Sequence, residues 1–313
     1  MSKWIVIGGS SFSGQAFCSA MIYQGHTVVA TSRKSLDLGS AALQDHAVAI
    51  CERNPDTDYV VNFAALNMVA ESWAHYKDYY HVNVVGVAQV ARVCQALLPN
   101  LRKFVQVSTP EVYGAAPAMS NPMTEYQPYC PSTPYAVSRA AADMDLAALH
   151  RATGFPVCFT RTVNVFGIGQ QPYRVIPKTV LKILRGEKLK LEGGGESERS
   201  FIHIDDVARG IQAVAERGAA GEIYHMSGAP AVRIRVLIGR ICAHMGRKFD
   251  DVVEVVPDRL GKDKAYHLND HKIRTVLKWR PEFRATVLED VVAWYVAHAE
   301  DYKNDSLEYK HAN

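Results

Sequence analysis

Net charge is nearly absent from this 313-residue chain, in which 35 Lys and Arg stand against 32 Asp and Glu for a formal charge of +3. The basic residues are scattered rather than gathered in a tail or along one helix, which excludes the electrostatic footprint of a nucleic-acid binder. Long apolar runs are missing as well. Trp4 to Ile7 and Val82 to Val93 are short or broken by polar residues, well under the roughly 20 residues needed to span a bilayer. No basic leader with a small-residue cleavage site precedes the first apolar run, so residence in the cytoplasm is expected. Cysteine pairs are absent. Cys18, Cys51, Cys94, Cys130, Cys158 and Cys242 are far apart, without a CxxC or a His at metal-ligand spacing, a pattern of reduced and mostly buried thiols. The histidines, His203, His225 and His267 among them, show no repeated spacing and read as core or surface residues. No metal is expected.

What is present is an ordinary globular composition, 48% hydrophobic and 21% charged, which excludes disorder and suits about two domains. The chain opens with an apolar run at Trp4 to Ile7, a Gly/Ser turn, a helical stretch at Gln15 to Gln24 and a second apolar run at Thr27 to Ala30. This is a βαβ opening. Helical stretches at Ala41 to Arg53 and around Val82 to Leu98 alternate with strands at Tyr59 to Phe63 and Lys103 to Val107. Such alternation predicts an α/β fold with a doubly wound parallel sheet of the Rossmann type. A Pro/Gly/Ser-rich loop over Pro110 to Pro134, a helix to about His150 and a strand at Val157 to Arg161 follow. The pattern loosens after Phe166. We therefore expect one domain over 1–165 with about 201–226, and a smaller mixed α/β domain over about 166–200 and 227–313, ending in a helix from Thr286.

Gly8-Gly9-Ser10-Ser11-Phe12-Ser13-Gly14 lies between the first strand and the first helix, where backbone amides at a helix N-terminus can hold a pyrophosphate. Ser11 stands where a middle glycine is usual. At the end of the second strand a carboxylate suits a ribose 2′-hydroxyl and a cation suits a 2′-phosphate. The residues there are Thr31-Ser32-Arg33-Lys34, with no Asp or Glu. Arg33 therefore favours NADP over NAD.

Two further segments carry chemistry: Ser108-Thr109-Pro110-Glu111-Val112-Tyr113-Gly114, and Tyr135-Ala136-Val137-Ser138-Arg139 at the start of a helix. With the glycine loop they resemble the extended short-chain dehydrogenase/reductases, the NAD(P)-dependent nucleotide-sugar epimerase/dehydratase family, and within it the dTDP-glucose and GDP-mannose 4,6-dehydratases. The likeness includes Asn62-Phe63-Ala64-Ala65, Asn83-Val84-Val85-Gly86, Arg161 to Gly167, Arg199 to Asp206 and Asp258 to Asp263. The resemblance implies that Tyr135 takes the proton of a sugar 4-hydroxyl, that Thr109 bonds the same hydroxyl, and that Glu111 removes the C5 proton. The cation that helps Tyr135 ionise is usually a Lys four residues on, and here it is Arg139. Where the dTDP-glucose enzymes have an Asp acid for the leaving hydroxyl, this chain has Pro110, so Glu111 or a water held by it must deliver that proton.

The implied cofactor set is Gly8, Ser10, Ser11, Phe12, Gly14, Ser32, Arg33, Asp37, Leu38, Phe63, Ala64 and Ala65 together with Tyr135 and Arg139. Asn164, Arg174, Arg199 and Arg259 are expected near the diphosphate of a nucleotide-diphosphate sugar, and Glu71 and Ser72 near its hexose. Asp205 and Asp206 are expected to cap a helix starting at Val207. By the same resemblance the protein forms a homodimer through the helix after Tyr135 and the one around Val82 to Leu98, where Ala140 to Ala142 and Ala147 to Ala148 would let helices approach. The leading expectation is a 4,6-dehydratase. A nucleotide-sugar 4-epimerase, 4-ketoreductase or decarboxylase, and a non-catalytic dinucleotide and nucleotide-sugar binder, stay open beside it.

Overall fold

The computed structural model describes residues 1–114, 122–228, 230–257, 267–282 and 286–309. Strand β1 (Lys3–Ile7) alternates its side chains between two cores, Trp4 and Val6 into one, Ile5 and Ile7 into the other. Burial on both faces is why the strand reads as an unbroken apolar run. Helix α1 (Phe12–Tyr23), β2 (Thr27–Ala30), α2 (Leu43–Glu52) and β3 (Tyr59–Asn62) follow. Next come α3 (Tyr76–Tyr80), a π-helical segment (His81–Gly86), α4 (Val87–Leu97), β4 (Lys103–Ser108), a 3-10 turn (Pro110–Tyr113), α5 (Pro134–Thr153) and β5 (Val157–Thr162). The remainder runs through β6 (Asn164–Phe166), α6 (Val175–Leu184), β7 (Leu189–Glu192), β8 (Glu198–Arg199), β9 (Phe201–His203), α7 (Ile204–Arg217) and β10 (Ile223–Met226). It ends with β11 (Val232–Arg233), α8 (Ile234–His244), α9 (Phe249–Val252), β12 (Val253–Val256), α10 (His271–Val276) and α11 (Val287–Ala297).

The central sheet has the order β2-β1-β3-β4-β5-β10, every pair parallel. Phe17 and Met21 of α1 with Ile211 and Val214 of α7 cover one face. Leu43 of α2, Ala91 of α4 and Leu146 of α5 cover the other. This is the doubly wound α/β architecture expected. Its order reverses between β1 and β3, and a crevice opens beyond the C-terminal strand ends at such a switch point. Three two-stranded pairs, β6 with β9, β7 with β12 and β8 with β11, lie outside the central sheet. A third core joins Ile176 and Val180 of α6, Ile238 and Ile241 of α8, and Val292 and Tyr295 of α11.

Several expectations are corrected. The helix around Val82 to Leu98 is interrupted: His81–Gly86 is π-helical and regular α-helix begins at Val87. Asn83 explains the break, because its buried amide accepts from the Leu66 N–H at 2.9 Å and donates to the Leu66 carbonyl at 3.0 Å and to Ser138 Oγ at 2.9 Å. Helix α7 starts at Ile204, and its cap is the His203 side chain rather than Asp205 or Asp206. Ala140 and Ala142 are buried within the protomer, so they are not available to a second copy. Ala148 is exposed and Ala141 and Ala147 are half-buried, and the large apolar residues that α5 exposes are Val137 and Met144. Five cysteines are buried, Cys130 is exposed, and none is in a disulfide. No helix among the described residues is long and apolar enough to cross a membrane.

Candidate active site

The glycine loop turns tightly because its neighbours leave no room for side chains. Gly8 has φ +72°, and a Cβ on it would lie 2.9 Å from the Ala64 nitrogen. One on Gly14 would lie 2.3 Å from the Gly8 carbonyl oxygen. Ser11, in place of the usual glycine, caps α1: its hydroxyl accepts from the Gly14 N–H at 3.1 Å and donates to the Gly8 carbonyl at 2.7 Å. The side chain is thus turned into its own turn. Beyond β2, Arg33 Nε stands 3.3 Å from Asp37 Oδ2, while Asp37 Oδ1 accepts from the Gly39 N–H at 3.0 Å. A carboxylate therefore does line this end of the crevice, seven residues past the end of β2. Ser32 does not line the cavity; the Ser35 hydroxyl accepts its N–H at 2.9 Å in a local turn. Gly14 is buried behind the loop and does not line it either.

At the end of β4, Thr109 is extended (φ −141°) and its hydroxyl accepts from the Glu111 N–H at 3.3 Å, opening the 3-10 turn. Pro110 fits the first position of that turn, where an N–H would lack an internal partner. Across from it, Thr133 caps α5 by accepting from the Ala136 N–H at 3.1 Å, which sets Tyr135 in the first helical turn. Tyr135 is buried, and Thr109 lies close enough to influence its ionisation. Burial raises its pKa above the ordinary tyrosine value and the Glu111 carboxylate raises it further, whereas Arg139, Thr109 and Arg174 pull it down. Arg139 is 2% exposed. Its Nη2 donates to the Val107 carbonyl, and its buried Nε and Nη1 meet no partner among the described residues.

These groups share one cavity of about 860 Å³, at the large end of small-molecule sites. Gly8, Ser10, Ser11, Phe12, Arg33, Asp37, Leu38, Phe63, Ala64 and Ala65 line one end, and Thr109, Glu111, Tyr135 and Arg139 the middle. Asn164, Arg174 and Arg199 line the other end. Arg174 donates to Asn67 Oδ1 at 3.3 Å and lies 5.5 Å from the Tyr173 ring centroid. Arg199 Nη1 donates to the Glu198 carbonyl at 2.8 Å, and Asn164 Nδ2 to the Ser200 carbonyl at 3.3 Å. Arg259 lies outside the described residues. Glu71 and Ser72 do not line the cavity, and Ser72 is buried against the Val69 carbonyl. Asn67, Gln170, Gln171, Tyr173, Lys190 and Glu192 line it and were missed. The polar pair Gln170-Gln171 in a Gly/Pro stretch was the one legible sign of that wall.

Residues 4–227 match the NAD dependent epimerase/dehydratase family. The chain belongs to this family. It is 34% identical over 261 residues to a dTDP-glucose 4,6-dehydratase of Streptomyces antibioticus, covering 83% of this chain and 74% of that one. Among solved structures it is similar to the dTDP-glucose 4,6-dehydratase DesIV of Streptomyces venezuelae with NAD and TYD bound, at 30% identity and TM-score 0.86 over 98% of this chain and 100% of that one. The dTDP-glucose 4,6-dehydratase of Bacillus anthracis in complex with NAD is 27% identical, with TM-score 0.82 over 96% and 98% of the two chains. The site of this family member fits a nicotinamide dinucleotide on its own geometry. Cβ-free Gly8 and Gly14 let the loop close, and Arg139, whose buried Nε and Nη1 meet no partner among the described residues, lines the middle of the cavity.

Proposed function

We propose that the protein is a nucleotide-sugar 4,6-dehydratase that forms a 4-keto-6-deoxy sugar. The observation that carries this reading is the place of Glu111: a carboxylate in the same cavity as Thr109 and Tyr135, close enough to shift the tyrosine's ionisation. The chemistry a bound nicotinamide ring supplies is storage of the C4 hydrogen with its electron pair until C6 can take it. Tyr135, beside Thr109, accepts the O4 proton as the C4 carbonyl forms. Glu111 then removes the C5 proton, which that carbonyl has acidified. The C6–O bond breaks, the hydroxyl leaves as water with the proton from Glu111, and once C6 is reduced C5 takes the proton that Tyr135 has held, which returns both groups to their starting state. Pro110 has neither a side-chain proton nor an N–H to offer. Two protons taken up, from O4 and C5, match two given back, to O6 and C5. Tyr135 and Glu111 therefore balance the cycle without a third group.

Asn164, Arg174 and Arg199 would hold the diphosphate of the sugar nucleotide, the two guanidinium forks suiting phosphate oxygens. Arg33 supports NADP as cofactor, while Asp37 beside it and the NAD in two similar structures support NAD. The division at 1–165 with 201–226 against 166–200 with 227–313, and residence in the cytoplasm, belong to the same reading. So does a homodimer, supported by the exposed Tyr80, Val85, Val137 and Met144 on the π segment and on helices α3 and α5. A 4-epimerase or 4-ketoreductase is the second reading, favoured by Pro110 where an acid would serve elimination. Incubation with NAD or NADP and a panel of GDP-, dTDP-, UDP- and CDP-sugars, followed by mass spectrometry, separates them. A product lighter by one water supports the dehydratase, and cofactor binding without mass loss contradicts it.

A further inference from the structure

The segment that carries Thr109 and Glu111 is held at both ends by one buried ion pair. At its start, the Ser108 hydroxyl donates to Asp143 Oδ2 at 2.7 Å. At its end, the Tyr113 ring lies under the Arg161 guanidinium, with 4.5 Å from Cζ to the ring centroid, and its hydroxyl bonds His225 Nε2 at 2.7 Å. Arg161 Nη2 meets Asp143 Oδ2 at 2.8 Å, and both side chains are fully shielded from solvent. Arg161 also donates to the Tyr129 hydroxyl and lies 4.8 Å from that ring's centroid. His225 in turn donates its backbone N–H to Glu125 Oε1 at 3.1 Å.

Topology makes this meeting possible. In the register of the sheet Ser108 pairs with Arg161 and Arg161 with His225, so β4, β5 and β10 place three side chains of the assembly side by side. Asp143 comes from α5, the helix that begins with Tyr135. The pair therefore ties three things to one point: the turn bearing Glu111, the sheet, and the helix bearing Tyr135. Neither Asp143 nor Arg161 lines the cavity. Removing two charges from water offsets most of their attraction, so such a pair is a poor source of stability compared with apolar packing. A demand on geometry accounts for it better.

We propose that Asp143 and Arg161 are positioning residues that hold the Ser108–Tyr113 segment in register with α5, so that Glu111 reaches C5 while Tyr135 and Thr109 hold O4. The proposal rests on the dehydratase reading for the step it governs. Oxidation at C4 uses Tyr135 and Thr109, which sit on the helix itself and directly at the strand end. Elimination uses Glu111, two residues further along the turn. Loosening the pair should therefore slow the second step more than the first.

The test compares wild type with Asp143→Asn/Arg161→Met, which removes both charges and leaves no uncompensated buried ion, and with Ser108→Ala, which cuts one arm only. In single turnovers, reduced-nicotinamide absorbance reports oxidation at C4, and formation of the dehydrated sugar reports elimination. The expected result for the double variant is unchanged dinucleotide affinity and an unchanged absorbance rise, with elimination slower by about 10²-fold and reduced cofactor accumulating. Ser108→Ala should show a smaller shift of the same kind and decides the matter should the double variant not fold. Equal slowing of both steps, or an unchanged ratio between them, overturns the proposal, since a merely structural role scales both with the folded fraction. Wild-type dehydration with an unchanged ratio removes the proposal alone. A wild type that dehydrates no nucleotide sugar removes the dehydratase reading and this proposal together.

Discussion

Arg139 stands four residues beyond Tyr135 on α5, almost fully buried, with one guanidinium nitrogen on the Val107 carbonyl. Its charge lowers the pKa of Tyr135, against the burial that raises it. Replacement by Met removes the largest of the lowering influences and leaves burial and the Glu111 charge to raise it. The tyrosinate then becomes rarer at neutral pH, and the rising limb of the kcat/KM profile moves to higher pH. Activity at pH 7 should fall by about 10²-fold and recover in part on the alkaline side. Arg139→Lys should keep the limb near its original place, because an ammonium supplies the same sign of charge. A pH–rate profile of the three proteins checks this, and superimposable profiles would count against Arg139 as the activating cation.

Beyond β2, Arg33 and Asp37 form an exposed ion pair. Arg33→Ala should weaken NADP binding by about tenfold, the loss of one charge-assisted hydrogen bond partly screened by water, and leave NAD almost unaffected. Asp37→Asn should act in the opposite sense, strengthening NADP relative to NAD. Calorimetric titration with both dinucleotides decides it, and equal changes for both would remove these residues from the choice of cofactor.

His225 links acid stability to the scaffold. Burial and the neighbouring Arg161 charge lower its pKa from 6.5 to about 3. The native protein keeps the imidazole neutral while the unfolded chain takes up a proton below 6.5. Its contribution to stability is thus complete above pH 6.5 and is lost as pH falls toward 3. Below 6.5 the loss approaches about 1.4 kcal/mol per pH unit, with the Glu125 carboxyl, whose pKa burial raises, acting in the opposite sense. Urea denaturation of wild type and His225→Asn across that window should show the slope in the first and its absence in the second.

Asp206 is a stabilising residue by a route other than capping. Its Oδ1 accepts from Arg209 Nη2 at 2.5 Å and from the Glu282 N–H at 2.9 Å, and its carbonyl accepts from Trp279 Nε1 at 3.1 Å. Asp206→Ala leaves the Glu282 N–H without this acceptor and should cost about 2 kcal/mol. A thermal melt should show the loss while dinucleotide affinity is kept.

The parts of the site that were legible in the sequence are those set by short separations. The Gly8–Gly14 loop joins a strand end to a helix start, Glu111 lies two residues past Thr109, and Arg139 lies one helical turn past Tyr135, so each spacing fixes a neighbour without knowledge of the fold. The Arg161–Asp143–Ser108 assembly depends on the register of β4, β5 and α5, which no local pattern encodes. Capping by His203 was hidden because Asp is the stronger cap by propensity; the end of β9 at His203 sets the helix start instead. The break at His81–Gly86 was hidden because the partners of Asn83, Leu66 and Ser138, lie 17 and 55 residues away.

The central claim is that the hydrogen at C4 returns to C6 of the same sugar after water is lost. Its most direct test is a nucleotide hexose deuterated at C4, turned over in ordinary water with the product examined by NMR and mass spectrometry. The account predicts the deuterium in the C6 methyl of a 4-keto-6-deoxy sugar, with Glu111→Gln forming none of it. Deuterium found at C4 of the epimer, with none in a C6 methyl, would contradict the account and assign the site to epimerisation.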